Sequence, residues 1–167
     1  MRRLGIDFCV FILLLGCVSK PVGPNKIETI QSMYEEYRTS FPDVPEISVE
    51  DLLGMQKERE LTLVDVRDAA ERRVSIIPNA ISREEFERDM EKYKNDTVVV
   101  YCTIGHRSGL YAQELMNKDL RVFNLKGGVL SWAHTGQDFV NDKGKTRTVH
   151  VYGPEWNLLP EGYTGVW

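Results

Sequence analysis

Apolar residues recur at helical spacing from the region of Asn25, where Ile27, Ile30, Tyr34 and Tyr37 share one face and Asn25 with Glu28 makes a capping-box pattern, so a helix is expected as far as Phe41. Phe41-Pro42-Asp43-Val44-Pro45 breaks it, and Ser48 then caps a short helix through Leu52 and Leu53 that stops at Gly54. The period changes at Leu61-Thr62-Leu63-Val64-Asp65-Val66-Arg67, a compact β-branched run ending in charge, as a central parallel strand does where it meets the ligand-facing edge of its sheet. Ser82 with Glu85 opens a surface helix carrying Phe86, Met90 and Tyr93 on one face. Thr97-Val98-Val99-Val100-Tyr101 is the most continuous β run and ends at Cys102. Ser108 to Asn117 reads as a helix, Val122-Phe123-Asn124-Leu125 as a short strand, and Lys126-Gly127-Gly128 precedes a helical turn holding Trp132. Strands alternating with helices predict an α/β fold whose parallel sheet has helices on both faces.

The pattern after His134 differs. A polar loop is expected over 136–145 and an edge strand over Thr148-Val149-His150-Val151-Tyr152, with Trp156, Tyr163 and Trp167 packing the tail onto the domain. His134 and His150 have no metal-ligand spacing and read as structural or solvent-facing. No internal repeat is present, and no low-complexity block follows residue 24.

The amino terminus changes the expected address of the protein. Arg2 and Arg3 precede an apolar run from Phe8 to Leu15, too short to cross a bilayer as a helix, which reads as a secretory signal. Leu14-Leu15-Gly16-Cys17, followed by Val18 to Pro24, resembles the lipobox of bacterial lipoproteins. That resemblance implies lipidation of Cys17, cleavage after Gly16, and a protein held on the extracytoplasmic face of a bacterial membrane, the outer membrane or periplasmic face being favoured. Removal of residues 1–16 leaves 151 residues with 19 basic and 24 acidic side chains, a net charge of −5. With 42% hydrophobic and 28% charged residues, and Lys and Arg scattered among acids, the chain has the composition of one soluble domain and no electrostatic footprint for nucleic acid.

On the lipoprotein resemblance, of the 3 cysteines Cys9 leaves with the signal and Cys17 carries lipid, so Cys102 is expected to remain the one free thiol. On that reading a disulfide within the mature chain, a CxxC redox pair and a multi-cysteine zinc site are excluded. The segment Cys102-Thr103-Ile104-Gly105-His106-Arg107-Ser108 places that thiol between a buried strand and a helix amino terminus, where free N–H groups and the helix dipole favour an anion at the sulfur. Gly105 lets the backbone curl toward the sulfur, and Arg107 adds a planar cation suited to oxyanions.

Leu63-Val64-Asp65-Val66-Arg67, Ile77-Pro78-Asn79-Ala80-Ile81, the strand with its CTIGHRS loop, and Leu125-Lys126-Gly127-Gly128 before Trp132 resemble the ordered signatures of a single-domain rhodanese. The resemblance implies a rhodanese-like parallel sheet and a sulfurtransferase. In such an enzyme Cys102 accepts a sulfane sulfur as a persulfide from a small donor such as thiosulfate and passes it to a thiophilic acceptor, a thiol or a protein, with no cofactor and no metal. It makes the backbone of Thr103, Ile104, Gly105, His106 and Arg107 the active-site cradle, has Ser108 open the helix, and assigns Asp65 and Arg67 a supporting role first and substrate contact second. Many members carry Gly-His-Ile-Pro-Gly-Ala where this chain has Ser75-Ile76-Ile77-Pro78-Asn79-Ala80, and Thr103 replaces the basic residue that follows cysteine in some thiosulfate-using members. A phosphatase or arsenate-reductase-like enzyme would have arginine six places after cysteine, whereas Arg107 is five places after Cys102. The non-enzymatic alternative is a membrane-tethered binding module. The organisation expected is a signal peptide at 1–16, a tether at 17–26, an N-terminal helix and linker at 27–46, a rhodanese-like domain at 47–135 and a C-terminal extension packed on it at 136–167.

Overall fold

The computed structural model describes residues 25–56 and 61–167. The expected signal peptide, Cys17 and most of the tether lie outside the described residues. Five parallel strands form the central sheet in the order β1 (Glu46–Ile47), β5 (Val122–Leu125), β4 (Thr97–Tyr101), β2 (Leu61–Asp65), β3 (Ile81–Ser82). The three central strands are the apolar runs expected from the sequence, and alternation along them divides the core. Leu63, Val99, Tyr101 and Leu125 face one layer with α2 (Val49–Met55), α6 (Gly128–His134) and the C-terminal residues Val149, Val151 and Leu159. Val64, Val98, Val100 and Val122 face the other layer with Phe86 of α4 (Arg83–Arg88) and Tyr111, Ala112 and Leu115 of α5 (His106–Met116). Helix α1 (Lys26–Arg38) is closed by the Asn25–Glu28 capping box and supplies Ile30 to the first layer and Tyr34 to the second. No helix among the described residues is long and apolar enough to cross a membrane.

Several local expectations are corrected. Strand β2 ends at Asp65, because the Asp65 carboxylate accepts the Arg67 N–H at 3.0 Å and turns the chain before the charged end of the run. Helix α1 stops at Arg38, short of Phe41, and α2 continues through Gly54 to Met55. The helix carrying Phe86 breaks at Asp89 and resumes as a 3-10 turn over Met90–Tyr93, yet Phe86 and Tyr93 still stack at 5.4 Å. Helix α5 begins at His106, two residues before Ser108, because Gly105 with φ of 107° caps it. A further helix, α3 (Ala69–Val74), follows the turn after β2 and was not expected.

The tail departs furthest from its pattern. The polar stretch 136–145 is no simple loop but holds most of an antiparallel hairpin, β6 (Phe139–Asn141) with β7 (Gly144–Thr146), closed where Asn141 accepts the Lys143 N–H at 2.9 Å. Strand β8 (Thr148–His150) is not an edge of the central sheet. It pairs in parallel with β9 (Thr164–Val166) in a small sheet of its own. Trp156 and Tyr163 pack against the first core layer, but Trp167 is 62% exposed. His134 Nε2 lies 2.8 Å from the Leu158 carbonyl, a structural contact.

Val149, Val151 and Leu159 are fully buried. At about 1.5–3 kcal/mol per buried side chain they contribute on the order of 5 kcal/mol, comparable to the whole stability of a small domain. Truncation after Lys145 is therefore expected to abolish the cooperative melt or to cause aggregation, read by circular dichroism and gel filtration. An unchanged melting curve would contradict this packing account.

Candidate active site

Every residue of β4 is buried, and the strand delivers Cys102, itself 2% exposed, to the carboxyl edge of the sheet. The Gly105 N–H donates to Cys102 Sγ at 3.2 Å. Gly105 holds the left-handed conformation this turn requires, and an added Cβ would lie 2.6 Å from the Tyr34 ring.

The loop is clamped from behind. Val129 and Leu130, at the start of α6, donate N–H bonds to the carbonyls of Cys102 and Thr103 at 3.0 and 3.3 Å. Gly128 makes this approach possible, since a Cβ there would meet the Cys102 carbonyl oxygen at 2.2 Å. Buried Asn124 donates to the Gly105 carbonyl at 2.8 Å and to the Tyr34 hydroxyl at 3.2 Å, and accepts the Ser108 hydroxyl at 2.6 Å. Ser108 thus faces Asn124 within the core rather than opening the helix.

In front of the loop, Arg107 grips Glu71 of α3 with two prongs, at 2.7 and 2.8 Å, and contacts the Thr103 hydroxyl at 3.3 Å. Asp68 stands 3.7 Å from the same guanidinium. Burial works against the charge on Glu71, but the Arg107 bonds and the Asp68 N–H hold its carboxyl below the usual range. Burial likewise opposes the Arg107 charge and is outweighed by Glu71, Cys102 and Asp68, so its pKa is raised.

Asp65 and Arg67 form a buried ion pair at 2.7 Å. Tyr101 donates its hydroxyl to Asp65 at 2.7 Å and accepts the Ile77 N–H at 3.1 Å, and Arg67 donates to the Ser75 carbonyl at 2.7 Å. Burial, followed by the Asp65 charge, raises the Tyr101 phenol well above its ordinary value. The cluster ties β2, β4 and residues 75–77 together, and neither Asp65 nor Arg67 lines the pocket at Cys102.

That pocket has a volume of about 240 Å³. Cys102, Thr103, Ile104, His106 and Arg107 form one part of its lining, and Tyr37, Tyr152 and Trp156 form the rest. Among the described residues, no group of three or more His, Cys, Asp or Glu side chains could hold a metal ion. The loop is legible in the sequence, whereas the part played in the site by Glu71, Asn124 and the three aromatic residues is not. The Asp68-to-Glu71 capping-box spacing was a readable helix signal, but nothing in it indicates that Glu71 faces a loop more than thirty residues away.

A model of the rhodanese-like domain family matches residues 48–135. The chain belongs to the rhodanese-like family. A curated sulfurtransferase of Allochromatium vinosum is 36% identical over 106 residues, which cover 60% of this chain and 99% of that protein. Among solved structures, the chain is similar to a thiosulfate sulfurtransferase of Pseudomonas aeruginosa, with a TM-score of 0.55 and 22% identity over 76% of this chain and 25% of that one. It is also similar to a protein of Rhodopseudomonas palustris described as a possible tyrosine phosphatase, with a TM-score of 0.52 and 23% identity over 72% of this chain and 98% of that one. These two likenesses show the fold alone. Where the rhodanese signature has glycine before alanine, this chain has Asn79 at φ of 65°, a left-handed conformation that asparagine tolerates better than most side chains.

Replacing Glu71 with Gln leaves the Arg107 guanidinium without its buried counter-charge and is expected to lower stability by about 1–3 kcal/mol at neutral pH. Because the folded-state pKa of Glu71 is depressed, its contribution is present above the unfolded value of about 4.3 and is lost as pH falls through the folded value. The gap in melting temperature between wild type and Glu71→Gln should narrow on acidification. A gap that stays constant with pH would argue against the ion pair as its source.

Proposed function

We propose that this rhodanese-like protein is a sulfurtransferase that carries a sulfane sulfur as a persulfide on Cys102. The observation that carries the reading is the placement of Cys102 Sγ at a pocket, accepting the Gly105 N–H at 3.2 Å beside the amino terminus of α5. The thiolate is the nucleophile, and no histidine base is needed where N–H groups and the helix dipole stabilise negative charge at the sulfur. With thiosulfate as the simplest donor, the thiolate forms a bond to the outer sulfur while the S–S bond of the donor breaks and its electron pair leaves with sulfite. The three negative charges of the reactants are conserved in the persulfide anion and sulfite. An acceptor thiolate then attacks the outer sulfur and releases Cys102 as thiolate. With Cys9 removed and Cys17 acylated, as inferred below, Cys102 is the one free thiol of the mature chain, and that acceptor comes from outside, as a small thiol or a partner protein.

Four residues separate Cys102 from Arg107, a loop sized for sulfur rather than for a phosphate tetrahedron. Treatment with sulfane donors followed by intact-mass measurement should add one sulfur, about 32 Da, to wild type and none to Cys102→Ser. Wild type that gains no sulfur from any sulfane donor would turn the assignment toward a binding module.

We further infer that the mature protein begins at acylated Cys17 and is anchored to a bacterial membrane outside the cytoplasm. The support is the basic start, the short apolar run and Leu-Leu-Gly-Cys. Cells fed a clickable fatty acid should label wild type and leave Cys17→Ala unlabelled. Absence of label on wild type, or label surviving the substitution, would overturn the anchor.

A further inference from the structure

Part of the wall facing Cys102 comes from outside residues 48–135, the part of the chain that carries the family. Tyr37 belongs to α1, and Tyr152 and Trp156 lie between β8 and β9. Their rings, in contact with one another and with His106, form one side of the pocket. Tyr37 stacks on His106 at 4.7 Å and on Trp156 at 5.9 Å with an interplanar angle of 16°, and Tyr152 meets Trp156 edge-on at 6.1 Å. Tyr152 is held there against its own preferences. It is 59% exposed, and its backbone lies at φ of 73°, a left-handed conformation that a bulky side chain rarely adopts. In that position its ring faces the Arg107 guanidinium at 5.3 Å.

The charge at the pocket points the same way. Arg107 is the cation of the lining, and Glu71 occupies two of its prongs while Asp68 stands close by. Little uncompensated positive charge is left for a dianion. A pocket of about 240 Å³ also approaches the lower end of the volumes that hold small organic ligands, and it has aromatic surface on which an inorganic anion has nothing to lay.

We propose that the donor for Cys102 is an organic sulfane compound, a thiosulfonate or hydropersulfide carrying at most one negative charge, whose apolar body packs against the wall made by Tyr37, Tyr152 and Trp156. The inference rests on the persulfide reading of Cys102 and adds the class of donor. With a thiosulfonate, the Cys102 thiolate bonds to the outer sulfur, the bond from that sulfur to the sulfonyl sulfur breaks, and its electron pair leaves with the sulfinate. Two negative charges stand on each side, and no oxidant or proton enters. With a hydropersulfide the thiolate of the organic body leaves with the electron pair, and the proton stays on the transferred sulfur.

Benzenethiosulfonate and methanethiosulfonate have the same charge and differ in the organic body, and thiosulfate is the dianion without one. The full-length protein in detergent is assayed with each, with cyanide as acceptor, and each kcat/KM is divided by the rate of the same donor with free cysteine to remove leaving-group reactivity. The normalised value for benzenethiosulfonate should exceed that for methanethiosulfonate by about tenfold, with thiosulfate lowest. Trp156→Ala and Tyr37→Ala should each bring the ratio of the two thiosulfonates to about twofold or less. Equal normalised values on wild type would overturn the inference by themselves, whether or not the variants fold, and so would a tenfold ratio surviving both substitutions. Failure of all three donors to place sulfur on Cys102 would remove the persulfide reading and this inference with it, an outcome distinct from equal use of the three.

Discussion

The site depends on where the carbonyl groups of one short loop are directed. The carbonyls of Cys102 and Thr103 are taken by the first N–H groups of α6, and that of Gly105 by the Asn124 amide. Because a trans peptide places the carbonyl of one residue opposite the N–H of the next, fixing these three oxygens turns the following N–H groups away from the clamp. The sequence meets the demand with the glycine at 128, where the Cys102 carbonyl leaves no room for a side chain, and with a polar residue in the otherwise apolar strand β5. The loop's electrostatics are therefore set by the core beneath it as much as by its own residues.

The same principle explains why the chain is longer than the part that carries its family. Residues 48–135 contain most of the sheet, the loop and its clamp, but neither core layer is closed by them alone. Ile30 and Tyr34 from the N-terminal side and Val149, Val151 and Leu159 from the C-terminal side complete the layers. A sheet buried on both faces must be covered along its whole length, and here the covering segments also reach the mouth of the pocket.

What could be read in the sequence is what depends on near neighbours along the chain. Val98 to Tyr101 and Leu61 to Val64 are apolar runs that only a buried strand accommodates, and Ser82 with Glu85 satisfies its own helix start within three residues. The start of α5 differs from its pattern because its cap is a glycine defined by φ, not a side chain that donates or accepts a bond. The hairpin at 139–146 was concealed by its polar turn, and the pairing of β8 with β9 across a long connection leaves no periodic trace. Glu71 under Arg107 and the Tyr37–His106–Trp156 stack are contacts between distant segments, made by ordinary surface residue types, and only the assembled fold brings them together.

The parallel pairing of β8 with β9 turns residues 151–163 into a closed span pinned at both ends. Its two anchors lie in a small sheet separate from the one that presents Cys102, and no residue of the span belongs to the loop clamp. Inheritance can act on such an arrangement piecemeal. Ring size and charge at its exposed positions, Tyr152 among them, can drift while the sulfur-bearing loop keeps its geometry, whereas Val151 and Leu159 in the same span are held by the core, so only the outer positions of the pocket wall are free to vary independently of the loop.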